Sequence, residues 1–289
     1  MSDTIVISQV LLQGLMVGAM YGLIAFGMTM IFSTTGLLNF AHGGFLAVGM
    51  YLCVTLYAAF RMSPYISILI TVPVLFGMGY FLYRYIVWKV LKIHIITAAQ
   101  ITLGLLWIIE SSLSMIFGAD IRSVPTTIGI QKVYLGPLTL SVPYIISFIV
   151  AIIVGIMLYW LMQRTDFGRS VRAVTQNRDA AELMGIRVVR IQTIVFGLGL
   201  ALLGVCSPLI IAMVPTTPSV GLQFTLFAFI IMMLGGIGNF LGTVIAGLIF
   251  GVVDAYGRFF FTGYIASVIP YSLLVLVLLV RPRGLLGEK

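Results

Sequence analysis

The chain has 289 residues, 61% hydrophobic and 8% charged, with a mean hydropathy of +1.18 and a formal net charge of +8. That composition excludes a soluble domain, in which about a quarter of residues are charged. Its long continuous apolar runs exclude a barrel, whose strands alternate over about ten residues.

Nine spans are predicted, over roughly 8–32, 43–60, 64–83, 95–117, 143–162, 191–213, 222–237, 241–256 and 264–280. The last three are short or broken by glycine, so eight to ten spans fit. The fold class is therefore all-α, a polytopic transmembrane helical bundle formed as one domain over residues 1–289. Asp3, with no basic residue before the first span, argues against a cleavable signal peptide.

Within the first span, Gly14, Gly18 and Gly22 recur every four residues. Such a ridge lets helices approach closely, inside one bundle or across a dimer face. Gly247 and Gly251 repeat the device. The stretch STTGLLNFAHGGF, Ser33 to Phe45, then interrupts the apolar pattern with Gly36, Asn39, His42, Gly43 and Gly44. Irregular backbone at membrane depth is tolerated only against protein or a water-filled cavity, so a broken or re-entrant helix is expected.

Glu110 lies well inside the fourth span, where an unpaired charge costs about 2.5–3.5 kcal/mol. It must be protonated, paired or facing a cavity, and a hydrogen bond holding two helices together is favoured over lining the path or carrying a proton. The loop from Gly118 to Val142 carries turn signals at Pro125, Gly129, Gly136 and Pro137. Between them IGIQKVYL and LTLSV alternate as a small hairpin, a partner contact or a lid. Cys53 and Cys206 fall inside spans and read as free and buried. His42 and His94 are the only histidines, so no metal site can be assembled.

Arg164 to Arg190 is the one long polar interruption, with six arginines and three acids. Asp166 is expected to cap a first short helix through Val174, with Val171 and Val174 on its apolar side. Asp179 is expected to open a second helix with Glu182 completing a capping box, and Gly185 to end it in a left-handed cap. Two short helices with little apolar surface of their own suggest a docking surface or an ordinary basic loop.

A second break, LGGIGNFLGT, covers Leu234 to Thr243 and holds Gly235, Gly236, Gly238, Asn239 and Gly242. Asn39-Phe40 and Asn239-Phe240 match, a hint of an internal repeat, although two residues coincide easily by chance. Glycine-broken segments at matching places in two halves point to a transport path. By polarity and position, Asn39, His42, Glu110 and Asn239 are the candidate lining residues. Asp254 and Arg258 form an i,i+4 pair.

Arg84, Lys89 and Lys92, the central arginines, and Arg281, Arg283 and Lys289 hold twelve of the sixteen basic residues on one face of a nine-span chain. The positive-inside rule makes that face cytoplasmic, with the C-terminus and residues 164–190 inside. No phosphate loop, HExxH or GxSxG is present, so ATP hydrolysis and hydrolase chemistry are not expected of this chain.

Four ordered stretches carry a resemblance: YGLIAFGMTMIFSTTGLLNFAHGGF, FGRSVRAVTQNRDAAELMGI, LGGIGNFLGTVIAGLIFG and the closing RPRGLLG. Over nearly its whole length the chain resembles the H-type membrane permease subunits of bacterial ABC importers for branched-chain amino acids. The resemblance implies a multi-pass permease of the inner membrane that is not itself an enzyme. Its partners would be two cytoplasmic ATPases that bind the ATP, a second homologous permease, favouring a heterodimer, and an external substrate-binding protein; no cofactor is expected. It also implies that Asp179, Ala180, Ala181, Glu182, Leu183, Met184 and Gly185 form the helix that couples to the ATPase. Relatives with these motifs serve urea and short amides as well, and a proton-coupled secondary transporter using Glu110 is the alternative outside the family.

Overall fold

A computed structural model describes residues 3–125, 131–136, 138–281 and 284–286. Gly129, Pro137, Arg283 and Lys289, used above as turn or charge markers, lie outside the described residues. All nine predicted spans are present as helices. Among the described residues, seven helices are long and apolar enough to cross a membrane, and two apolar stretches, Val220–Gly235 and Val268–Val277, are shorter.

The first helix, α1 (Asp3–Thr35), is the axis of the molecule. It packs most extensively on α11 (Phe240–Phe260) and also touches α9 (Val188–Ile211) and α10 (Val220–Gly235). The two glycine ridges meet each other there. Gly14 and Gly18 sit against the backbone of Gly247, Leu248, Gly251 and Val252, so neither ridge is left to form a dimer face. On the other side of α1, a Cβ on Gly27 would lie 2.7 Å from the Gly199 carbonyl oxygen on α9.

After α1 the chain turns at Gly36 (φ +69) and runs back along it as irregular backbone. The Nε2–H of His42 donates to the carbonyl of Ile24 at 3.0 Å. Ile24 lies eleven residues before the end of α1, so α2 (His42–Phe60) begins about 16 Å into the bundle. There the backbone N–H of Gly43 donates to Thr225 Oγ1 of α10 at 2.8 Å. The expected irregular segment is thus a re-entrant one, received by protein.

The outer helices are α3 (Pro64–Leu82), which continues through a π-turn (Tyr83–Val87) into α4 (Trp88–Leu91), then α5 (Ile95–Phe117), α6 (Val142–Arg164) and α12 (Tyr264–Val280). α3 lies along α9, where Thr71 Oγ1 donates to the Gly204 carbonyl at 2.6 Å. A buried relay ties three helices: Tyr83 Oη donates to Gln192 Oε1 at 2.8 Å, and Gln192 Nε2 donates to the Thr34 carbonyl at 2.8 Å. The predicted hairpin is present as β1 (Lys132–Leu135) and β2 (Leu138–Ser141), antiparallel with Lys132 opposite Ser141. Cys53 and Cys206 are free and buried.

The second break, between α10 and α11, is closed by the chain's far end. Leu285 N–H donates to the Leu234 carbonyl at 2.8 Å, and Asn239 Nδ2 donates to the Leu286 carbonyl at 2.7 Å. The Gly-Leu-Leu of the last motif therefore occupies carbonyls that α10 leaves without intrahelical partners.

Candidate functional site

The polar segment between α6 and α9 folds as two helices, α7 (Asp166–Gln176) and α8 (Arg178–Leu183). Their caps differ from expectation. Thr165, not Asp166, caps α7, its Oγ1 accepting from Gly168 N–H at 3.1 Å, while Asp166 pairs with Arg169. Asn177, not Asp179, caps α8, its Oδ1 accepting from Ala180 N–H at 2.9 Å. Moving the cap two residues earlier removes Glu182 from the third helical position, so no capping box forms. Asn177 also ends α7 by donating its N–H to the Ala173 carbonyl, so one extended residue makes the elbow between the helices.

The end of α8 is as expected. Gly185 has φ +84, its N–H donates to the Glu182 carbonyl, and Ile186 N–H donates to the Ala181 carbonyl. That pair of bonds is a Schellman closure.

The platform is anchored from below. Val174, Ala181 and Val188 bury together, joining α7, α8 and the start of α9. Val171 packs into the main core. Gly168 lies directly on the carbonyls of Leu161 and Met162, and Arg172 donates to the Met162 carbonyl, occupying the free end of α6. What remains outward is unusual for such a short helix. Leu183 is 89% exposed and Met184 83% exposed, beside exposed Asp179, Ala180, Glu182 and Gly185. Ala181 alone of this group points inward.

Both membrane breaks end at this platform. A cleft of about 430 Å³ is lined by Phe32, Ser33 and Gly36 of the first, Ile237 and Gly238 of the second, and 174–178 of the elbow. Gly36 and Gly236 share a positive φ just past the ends of α1 and α10, and Phe26 stacks on Phe240 with ring centroids 5.0 Å apart. The elbow and both breaks therefore border one cleft.

The four candidate lining residues do not converge on one cavity. Asn39 and His42 are fully buried behind α5, where Asn39 Oδ1 accepts from Ala41 N–H at 3.2 Å. Asn39 Nδ2 and His42 Nδ1 have no partner among the described residues. Asn239 is occupied at both ends, capping α11 through Gly242 N–H at 2.9 Å and holding Leu286. Glu110 stands apart on α5, half-buried and without a partner among the described residues. Asp254, by contrast, is paired as expected, receiving Arg258 Nε at 3.0 Å, with Tyr21 Oη also donating to it at 3.4 Å.

Comparison with known proteins adds a lineage to this geometry. A family described as branched-chain amino acid transport system / permease component matches residues 10–278. The chain is 29% identical to the high-affinity branched-chain amino acid transport system permease protein BraD of Pseudomonas aeruginosa, over 97% of this chain and 95% of that one. It is 27% identical to the LivH permease protein of the same kind of system in Escherichia coli strain K12, with the same coverage of each chain. The ribose import permease protein RbsC of Bacillus subtilis is 26% identical over 82% of this chain and 73% of its own. No solved structure matches.

Proposed function

Because the chain belongs to the branched-chain amino acid transport permease family and is a membrane permease of an ABC importer, we propose that α8 is its point of contact with an ATPase subunit. The observation that carries this reading is the pair Leu183 and Met184, exposed on a helix whose backbone is fixed at both ends. A rigid stub presenting two large apolar side chains suits insertion into a cleft of a soluble partner, since apolar anchors dominate such contacts.

In this reading residues 164–190 and the C-terminus face the cytoplasm, where two ATPases bind and hydrolyse the ATP; the chain needs no cofactor and performs no catalysis. A second, homologous permease completes the path, and a soluble binding protein delivers the substrate from outside. Branched-chain amino acids are the proposed cargo, by likeness to the relatives. Closure of the ATPases on ATP pushes α8, and the elbow at Asn177 carries that push to the breaks at Gly36 and Gly238.

The test is reconstitution of the whole transporter with Leu183→Ser and Met184→Ser combined. ATP-driven leucine uptake should be lost while the protein inserts and melts as before, because neither side chain is packed within the chain. Uptake at the unaltered rate would remove α8 from the coupling role. Gradient-driven uptake by this chain alone, without ATPases, would instead favour the proton-coupled alternative through Glu110.

A further inference from the structure

α5 is a peripheral helix whose outward surface mixes polar with large apolar side chains. Its inward side is formed by Ala98, Thr102, Leu106, Ile109 and Leu113, all buried. The opposite side carries exposed Gln100, Gly104 and Ser111 among exposed Ile96, Leu103, Trp107 and Met115, with half-buried Glu110 and Ser114 along one edge. Spacings of four, seven and three residues from Gln100 through Gly104, Ser111 and Ser114 keep these on one helical face. The track rises about 21 Å, most of the height of a hydrocarbon core of about 30 Å.

None of these polar side chains has a hydrogen-bond partner among the described residues. The neighbouring peripheral helices differ. The exposed side chains of α3 are Ile66, Leu69, Pro73, Val74, Met78, Tyr80 and Phe81, and those of α6 over its central turns are all aliphatic or aromatic. Ser272, exposed on α12, bonds its own helix at the Ile269 carbonyl. Unpartnered amide, carboxyl and hydroxyl groups facing lipid would each cost free energy with nothing to offset it. A dry contact with another helix would still leave the Glu110 charge to be desolvated. Water on this face satisfies all of them.

We propose that the outward face of α5, from Gln100 through Gly104 to Ser111 and Ser114, with Glu110 at its edge, lines the water-filled path for the substrate. This rests on the permease reading above and names the surface that the path uses. Gly104 sets the width about 6 Å from its Gln100 end, because a side chain added there meets nothing within 4 Å and would project into open space. An amino-acid zwitterion suits such a track: Gln100 and the serines offer both donors and acceptors, and Glu110 faces the ammonium group.

The experiment uses the complete transporter in membrane vesicles, with Gly104→Cys, Ser111→Cys, Ile156→Cys on α6 and Leu276→Cys on α12 as separate variants. A permanently charged methanethiosulfonate is the probe, and the buried Cys53 and Cys206 set a low background. Thiols in water ionise and react, so the α5 positions should label roughly tenfold faster than those on α6 and α12. Gly104→Leu should stop ATP-driven uptake with the subunits still assembled. Gly77→Leu on α3, equally free of neighbours, should leave it intact. Equal labelling of α5 and α6 in vesicles that transport would overturn the path assignment and leave the permease function standing. Exclusion of the probe from Ser111→Cys, with disulfide cross-linking to a neighbouring permease, would replace the path by a dry interface. Absence of ATP-driven uptake by the unaltered complex would remove the permease reading itself.

Discussion

Gly18 on α1 and Gly247 on α11 hold their backbones so close that a Cβ on Gly18 would stand 2.7 Å from the Gly247 carbonyl oxygen. No real Cβ accepts that separation, and the obstacle is backbone rather than a flexible side chain. Gly18→Ala should therefore force the two helices apart and cost about 1–3 kcal/mol, as overpacking does. Gly22→Ala is the control. Its nearest neighbour would be the Val244 carbonyl oxygen at 3.5 Å, an ordinary contact, and alanine is the better helix former. Thermal melts in detergent should separate the two variants. Equal melting temperatures would mean that the α1–α11 crossing is looser than the geometry requires.

The left-handed residue at the end of α8 gives a second prediction. Gly185→Ala places a Cβ where φ is +84, at a cost of about 1–2 kcal/mol. That strain falls on the small cluster of Val174, Ala181 and Val188 and leaves the membrane bundle alone. Transport coupling should weaken, with the melt of the transmembrane core unmoved. Hydrogen exchange over 178–186 would reveal the loosening directly, and unchanged protection there would rule it out.

At Asn239 the amide does two jobs. Asn239→Ala should remove the α11 cap and the clamp on Leu286 together, at about 1–2 kcal/mol. Asn239→Asp keeps the acceptor toward Gly242 N–H and loses only the donor toward Leu286, so it should fall between. If both variants melt as the parent does but change uptake, Asn239 belongs to the path rather than to the frame.

The relay Tyr83–Gln192–Thr34 is buried throughout. Gln192→Leu would strand the Tyr83 hydroxyl and the Thr34 carbonyl, at about 2–3 kcal/mol. Adding Tyr83→Phe should recover part of that loss, because one of the stranded groups is gone. A double-mutant cycle on thermal stability measures the recovery, and strict additivity would show that the two side chains act independently.

Glu110 separates two energy sources. Glu110→Gln removes the charge that faces the substrate ammonium, so ATP-dependent uptake should slow while staying insensitive to a proton gradient. Uptake by the parent that follows the proton gradient, with that dependence lost in Glu110→Gln, would make the carboxyl a proton carrier.

Much of this architecture was legible before any tertiary contact was known. Nine apolar runs became nine helices, because an amide left unpaired in lipid is costly enough that hydrophobic length alone dictates a span. The Gly185 cap, the β1–β2 hairpin and the Asp254–Arg258 pair were equally local, each set by residues no more than nine apart in the chain. The caps of α7 and α8 were misplaced because several capping types stand side by side: Thr165 beside Asp166, and Asn177 two before Asp179. Only the backbone angle picks one; φ −107, ψ 160 at Thr165 and φ −156, ψ 112 at Asn177 are the extended geometry a cap requires.

Three matters were decided by the tertiary structure alone. The glycine ridges of α1 and α11 read the same whether they meet each other or a second protomer, and packing brought them together. The closing Gly-Leu-Leu looked like a tail until it bonded the end of α10, about fifty residues earlier in the chain. The outward face of α5 was hidden most completely. In a bilayer the lipid-facing and protein-facing sides of a helix are both apolar, so hydrophobicity marks the span without saying which side looks inward. Gln100, Gly104, Ser111 and Ser114 became a track only once Thr102, Leu106, Ile109 and Leu113 had claimed the interior.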